Sequence, residues 1–151
     1  MAVFLHVSQK NPLAARVTRD IDLAVDRKDL GKIAEAACAF GFEYRHTAGV
    51  NMLVDGARPS EKSTVYLIMV REKVRPEYSE PVPDFSTPVE AEEGILLATV
   101  LDLVRMKLVS YRLKDRVHIQ DLDQAGLITP RIEAELPPQL RLRLDEIRAS
   151  E

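Results

Sequence analysis

Apolar and polar positions along the chain change period several times, and each change marks a predicted element. Residues 17–25 alternate with period two, which predicts a strand. Three further strand candidates lie at 42–46, 50–54 and 64–70. Helices are predicted at 1–9, 28–40, 95–113 and 117–125, with a last short helix that ends near residue 148. This order predicts an α+β fold with the helices gathered at one side of the sheet.

Local signals define several element boundaries. Asp26 is a suitable N-cap for the second helix, and Gly41 is a suitable stop. That helix carries an apolar stripe of five residues, Leu30, Ile33, Ala34, Ala37 and Cys38. Residues 75–88 hold four prolines and are expected to run extended over the surface. With no linker or repeat, residues 1–151 are predicted to form one domain, with a sheet-containing core at 1–94 and a helical segment at 95–151.

The composition limits where the protein can be located and what it can bind. Apolar residues make up 46% of the chain, yet no apolar run approaches the roughly 20 residues of a membrane helix, so no membrane contact is predicted. The single cysteine, Cys38, excludes an intrachain disulfide and favours a reducing, cytoplasmic location. The net charge of −3 gives no overall attraction for nucleic acid, although five cationic residues fall within 105–116.

Two carboxylates in the first predicted strand form the candidate site. Asp20 and Asp22 are two residues apart, so they share one face, with Cβ atoms about 6–7 Å apart. Thr18 shares that face. Such a pair suits a shared divalent cation, because Mg²⁺ binds carboxylate oxygens at about 2.0–2.1 Å. A structural alternative stays open, in which Arg16 balances the two negative charges.

The chain resembles a known superfamily at both of its ends. The first run is R-x-T-x-D-I-D-L at 16–23, followed by a helix and a Gly-Phe strand start. The second comprises residues 102–107 and the pattern K-D-x(5)-D-L at 114–122. Together they resemble the nucleotidyltransferases, closest to the toxin-like and abortive-infection branch. The resemblance implies a nucleotidyltransferase-like mixed sheet with helices packed on one side and a helical C-terminal segment.

The resemblance also implies an activity. A nucleotide would pass from a nucleoside triphosphate to a macromolecular acceptor, either tRNA or a protein, as in toxin–antitoxin systems. Asp20 and Asp22 would be catalytic and would hold Mg²⁺ or Mn²⁺. The implied phosphate-binding residues are Arg16, Thr18, Lys107, Arg112 and Lys114. Lys107 lies off the apolar stripe of its helix and is expected to face the same cleft, with the other two C-terminal cations near its mouth.

Two departures from the family pattern favour weak nucleotide binding and little turnover. No glycine pair precedes the Asp strand, so either the N-terminus is incomplete or the phosphate grip is lost. Tyr66 occupies the place where a third carboxylate is natural, and the nearest substitutes are Asp55 and Glu72. The alternatives are therefore a catalytically degenerate module that binds nucleotide, RNA or a partner protein, and a structural or regulatory subunit. His118 is interpreted either as a surface partner of Asp121 or as a proton shuttle.

Overall fold

The computed structural model describes residues 2–10, 21–60, 63–90 and 94–150. The helices in these ranges are α1 (Ala2–Lys10), α2 (Leu30–Cys38), α3 (Val100–Ser110), α4 (Leu113–Gln124), α5 (Pro130–Glu135) and α6 (Pro138–Ala149). The strands are β1 (Ile21–Val25), β2 (Phe42–Thr47), β3 (Val50–Asp55), β4 (Thr64–Met69), β5 (Val89–Glu90) and β6 (Leu96–Leu97). The fold is α+β, as predicted. None of the helices in these ranges combines the length and apolar character that a membrane crossing needs.

The larger sheet has the strand order β1-β4-β3-β2. β1 runs parallel to β4, and the other neighbours are antiparallel. The sequence located β2, β3 and β4 to within one residue. A two-residue turn joins β2 to β3, with positive φ at Ala48 (51°) and Gly49 (79°), which matches the turn type that two-residue hairpins favour.

Helix α2 covers one face of this sheet. Asp26 accepts a hydrogen bond from the backbone N–H of Lys28, as expected of an N-cap, and starts a 3₁₀ turn that leads into α2. Three members of the predicted stripe contact the buried residues of the sheet, namely Leu30, Ile33 and Ala37. Cys38, however, is exposed. The assignment of Cys38 to the apolar stripe is therefore wrong, because the stripe that contacts the sheet is narrower than the sequence indicated and Cys38 lies beside it.

The first strand also differs from its expected pattern. Ile21 and Leu23 are 38% and 44% exposed, and in β1 only Val25 is buried. Alternation had predicted that all three would face a core. Helix α2 packs against β2, at the opposite edge of the sheet. The described residues therefore leave the start of β1 uncovered.

The helices after the sheet form a second core. It contains almost fully buried residues of α1, α3, α4 and α6, among them Val7, Val104, Leu108, Ile119, Leu140 and Leu144. Helix α1 belongs to this core although it begins the chain. His6 fixes it there, with Nε2 placed 2.9 Å from the carbonyl oxygen of Ala98.

The boundaries of α3 and α4 depart from the predicted 95–113 and 117–125. Thr99 caps α3 by accepting a hydrogen bond from the N–H of Asp102, so the helix begins at residue 100 after the short strand β6. Tyr111 takes the left-handed conformation, with φ of 50°, and ends α3. A tyrosine in the left-handed backbone conformation is uncommon, and the sequence has no glycine here that would indicate the end of a helix. As a result α4 begins at residue 113.

Candidate functional site

The predicted site residues divide between described and undescribed parts of the chain. Arg16, Thr18 and Asp20 lie outside the described residues. Asp22 is exposed on β1 and lies opposite Tyr66 of β4 in the parallel register. The phenol of Tyr66 therefore occupies the position on the neighbouring strand that a third carboxylate would need.

Neither substitute carboxylate is close to Asp22 in the sheet. Asp55 ends β3, two strands away, and its Oδ1 accepts hydrogen bonds from the N–H groups of Ala57 (2.9 Å) and Arg58 (3.1 Å). Glu72 follows β4 and forms a bidentate pair with Arg27, at 2.5 and 2.6 Å. Both carboxylates thus have local structural roles.

Among the described residues, no three His, Cys, Asp or Glu side chains come together to hold a metal ion. Asp22 nevertheless supplies the hard, exposed oxygen donor that Mg²⁺ prefers. Proteins usually hold Mg²⁺ by one or two carboxylates together with substrate phosphates and water, without a complete protein cage. Of the two predicted carboxylate ligands, the structure describes one, Asp22, as an exposed oxygen donor.

The predicted cations of the helical segment converge on one buried carboxylate, Asp115, which has no exposed surface. Its Oδ1 lies 3.1 Å from Nζ of Lys107. Its Oδ2 accepts hydrogen bonds from Oγ of Ser110 (2.6 Å) and Nε of Arg112 (2.7 Å). We call these four residues the Asp115 cluster.

The helix boundaries explain how the Asp115 cluster assembles. The left-handed Tyr111 turns the chain sharply between α3 and α4, so the last turn of α3 meets the first turn of α4. Asp115 lies in that first turn, where the helix dipole also favours a negative charge. Burial alone would raise the pKa of Asp115, but the hydrogen bonds from Arg112 and Ser110 and the charge of Lys107 outweigh it and hold this pKa at about 2.

Arg112 is the member of the Asp115 cluster whose pKa also responds, weakly, to a charge on the sheet. The hydrogen bond to Asp115 raises the pKa of Arg112, and burial opposes this rise. The charge of Asp115 raises the pKa further, as do Tyr78 and Asp22. Asp22 is therefore within electrostatic range of the guanidinium. The side chain of Arg112 is half exposed, whereas that of Lys107 is only 18% exposed. Lys114, at the start of α4, is exposed.

His118 lies one turn after Asp115 on α4. Burial lowers the pKa of His118, the charge of Lys107 lowers it further, and Asp115 and Asp121 oppose the change. Its Nδ1 is buried and has no hydrogen-bond partner among the described residues. The imidazole is therefore neutral at pH 7, and its pKa is influenced by the Asp115 cluster as well as by the expected partner, Asp121.

The sequence pointed to the cations of the Asp115 cluster but missed its centre. Asp115 stood in the quoted K-D pattern, yet no role was given to it, because the helix break was predicted at 114–116 and lies at 111–112, which places Asp115 in the first turn of α4 and close to Lys107. Ser110 was missed for the same reason. A buried acid in the first turn of a helix, close to several cations, is the signal that could have identified the cluster.

A separate cleft of about 330 Å³ lies between α3 and the segment that follows β4. Two arginines and a proline-containing wall line it, namely Arg71, Glu80, Pro81, Val82, Pro83, Asp84 and Arg105. Glu80 pairs with Arg105 at 2.9 Å, and Asp26 pairs with Arg71. Of the predicted site residues that the structure describes, namely Asp22, Lys107, Arg112 and Lys114, none lines this cleft.

Comparison of the chain with family models finds no match, and the same holds for the curated proteins and for the solved structures.

Proposed function

We propose that this chain is a nucleotidyltransferase-like protein that binds a nucleoside triphosphate between β1 and the junction of α3 and α4. The observation that carries the proposal is the half-exposed guanidinium of Arg112, which is hydrogen-bonded to the buried Asp115. Arg112 offers a guanidinium suited to phosphate, and Asp22, whose charge acts on it, offers a carboxylate suited to a cation.

The Asp115 cluster fixes the side chain of Arg112 in a position from which it can bind phosphate. Asp115 engages its Nε at 2.7 Å and its Nη2 at 3.5 Å, which leaves further N–H donors of the half-exposed guanidinium. Two cations share this single carboxylate, so the cluster keeps one excess positive charge. That charge favours a triphosphate, and the fixed side chain loses little entropy when it binds one.

The carboxylates of β1 would hold Mg²⁺ or Mn²⁺, with Asp22 as one ligand and Asp20 as the other. The bound ion would neutralise triphosphate charge and activate the acceptor oxygen. By the resemblance given above, the acceptor would be a macromolecule, either tRNA or a protein, and the setting would be that of a toxin with its antitoxin.

A second candidate is binding without transfer. The observation that favours it is the register of β1 and β4, which places Tyr66 directly beside Asp22. A phenol is a poor Mg²⁺ ligand compared with a carboxylate, so the ion would lack a third protein ligand there. In this candidate function the chain binds a nucleotide, RNA or a partner protein and releases no pyrophosphate.

Calorimetry with ATP, GTP, CTP and UTP in the presence of Mg²⁺ tests both candidates. Arg112→Gln should weaken binding of the preferred nucleotide about ten- to a hundredfold, because hydrogen bonds to charged groups contribute about 1.5–3 kcal/mol. Arg131→Gln is the matched control, since Arg131 is exposed and pairs with Glu135 in its own helix. Circular dichroism verifies that each variant is folded.

A pyrophosphate-release assay with added tRNA or cell protein then separates the two candidates. Release that requires Asp22 supports transfer, whereas nucleotide binding without release supports the second candidate. Absence of binding to any of the four nucleotides contradicts a nucleotide-binding role.

A further inference from the structure

Strand β2 forms an unusually open edge of the larger sheet. Among the described residues, β3 is the one strand beside it, and the two pair without a bulge from Phe42–Asp55 to Thr47–Val50. All residues of β2 after Phe42 are exposed, and the strand contains no proline. Natural sheets commonly protect such edges with prolines, bulges, short strands or charged side chains, and of these β2 has only the charges of Glu43 and Arg45.

The hairpin geometry determines which backbone groups this edge presents. Thr47 and Val50 flank the two-residue turn, so they form a hydrogen-bonded pair with each other. Because the pattern alternates along the strand, the backbone N–H and C=O groups of Glu43 and Arg45 also form hydrogen bonds to β3. The N–H and C=O groups of Phe42, Tyr44 and His46 therefore point outward, away from β3.

The side chains along this edge are complementary to a second copy of themselves. If two β2 strands pair antiparallel about Tyr44, the outward N–H and C=O of Tyr44 bond to those of the other Tyr44. Glu43 then lies opposite Arg45 of the second copy, and Arg45 lies opposite Glu43. These are non-hydrogen-bonded pairs, in which side chains approach most closely and opposite charges stabilise the pairing.

No other register that pairs the outward N–H and C=O groups places Glu43 opposite Arg45 of the second copy. Pairing about Phe42 would place Glu43 opposite Gly41, and pairing about His46 would place Arg45 opposite Thr47. The charged pair is exposed at present, with Glu43 58% and Arg45 49% accessible and 2.9 Å between their closest atoms. Both side chains are therefore available to a second copy.

The edge is also ordered before association. Tyr44 donates a hydrogen bond to Oδ1 of the buried Asn51 at 2.8 Å, and Nδ1 of His46 lies 2.9 Å from the same oxygen. Phe40, just before the strand, is 84% exposed. Because the edge is ordered before it pairs, pairing costs less conformational entropy. The exposed Phe40 adds apolar surface close to the same edge.

We propose that two copies of this chain associate through antiparallel pairing of their β2 strands, with a two-fold axis at Tyr44 that joins their sheets. The interface is small, so the association is weak and concentration-dependent. This inference does not depend on the nucleotide-binding function.

Sedimentation equilibrium of the full chain over a range of concentrations tests the interface. Glu43→Arg and Arg45→Glu each replace two attractive pairs with two repulsive ones, so each should weaken dimerisation about tenfold or more. The double variant, Glu43→Arg with Arg45→Glu, should restore it. An equimolar mixture of the two single variants should form a heterodimer, because every charged pair is then opposite again.

Arg131→Glu serves as the control charge reversal, since Arg131 lies on α5 away from this edge, and it should dimerise as the wild type does. A wild type that stays monomeric up to millimolar concentration would overturn the proposal. Single reversals that dimerise like the wild type, or a mixture that fails to associate, would overturn this register.

Discussion

The Nε atom of Arg112 lies 2.7 Å from Oδ2 of Asp115, a carboxylate with no exposed surface. This contact joins the N-cap residue of α4 to the first turn of the same helix, and Lys107 adds a second positive charge from α3. The same pair therefore supports the helix junction and holds the guanidinium that is proposed to contact phosphate.

Asp115→Asn should lower the free energy of unfolding by about 3 kcal/mol, because it leaves the mostly buried Lys107 without a counter-charge. Urea unfolding monitored by circular dichroism measures the change. Glu135→Gln removes an exposed helix pair and should change the value by less than about 0.5 kcal/mol. Equal effects of the two substitutions would show that the Asp115 cluster contributes no more than a surface pair.

Acid should weaken the wild type more than the Asp115→Asn variant. The pKa of Asp115 is about 2 in the fold, below the ordinary value of 3.8. A lowered carboxyl pKa stabilises the fold above pH 3.8, and this stabilisation disappears as the pH falls towards 2. The loss is about 2 kcal/mol by linkage. Urea midpoints measured between pH 5 and pH 2 should therefore converge for the two proteins, and parallel curves would contradict the low pKa.

His118 should titrate below its ordinary pKa of 6.5, since burial and the charge of Lys107 both disfavour the imidazolium. Below pH 6.5 the unfolded chain then binds the proton more readily, so His118 makes the fold less stable as the pH falls. NMR titration of the imidazole carbons reports this pKa directly. Lys107→Met should raise it towards 6.5, while Lys32→Met, an exposed substitution on α2, should leave it unchanged.

Mg²⁺ or Mn²⁺ together with the preferred nucleotide should raise the melting temperature by about 5 °C at a concentration near 100 times Kd. Asp22→Asn should reduce this shift, because it removes a proposed ligand of the ion. Asp145→Asn, on the exposed face of α6, should keep the full shift. A shift that Asp22→Asn leaves intact would place the cation elsewhere on the protein.

The sequence by itself located three strands, β2, β3 and β4, and the second helix well. The bounds of β2, β3 and β4 followed from their short strand-like runs, and Gly41 with φ of 83° ends the turn after α2. These features depend on near neighbours in the chain, such as a cap three residues away or a glycine that tolerates positive φ. Local sequence is sufficient for them.

The tertiary structure alone decided that Lys107 of α3 meets Asp115 of α4. The left-handed Tyr111 is supported from a distance, since Arg143 of α6 lies 4.8 Å from its ring centroid and donates hydrogen bonds to the carbonyls of Leu108 and Val109 at the end of α3. That break brings Lys107 to Asp115. A buried charge pairs with whichever side chain the helix packing angles bring close to it. Residues that are near it in the sequence do not determine those angles. The exposure of Ile21 and Leu23 has the same origin, because α2 packs against the far edge of the sheet.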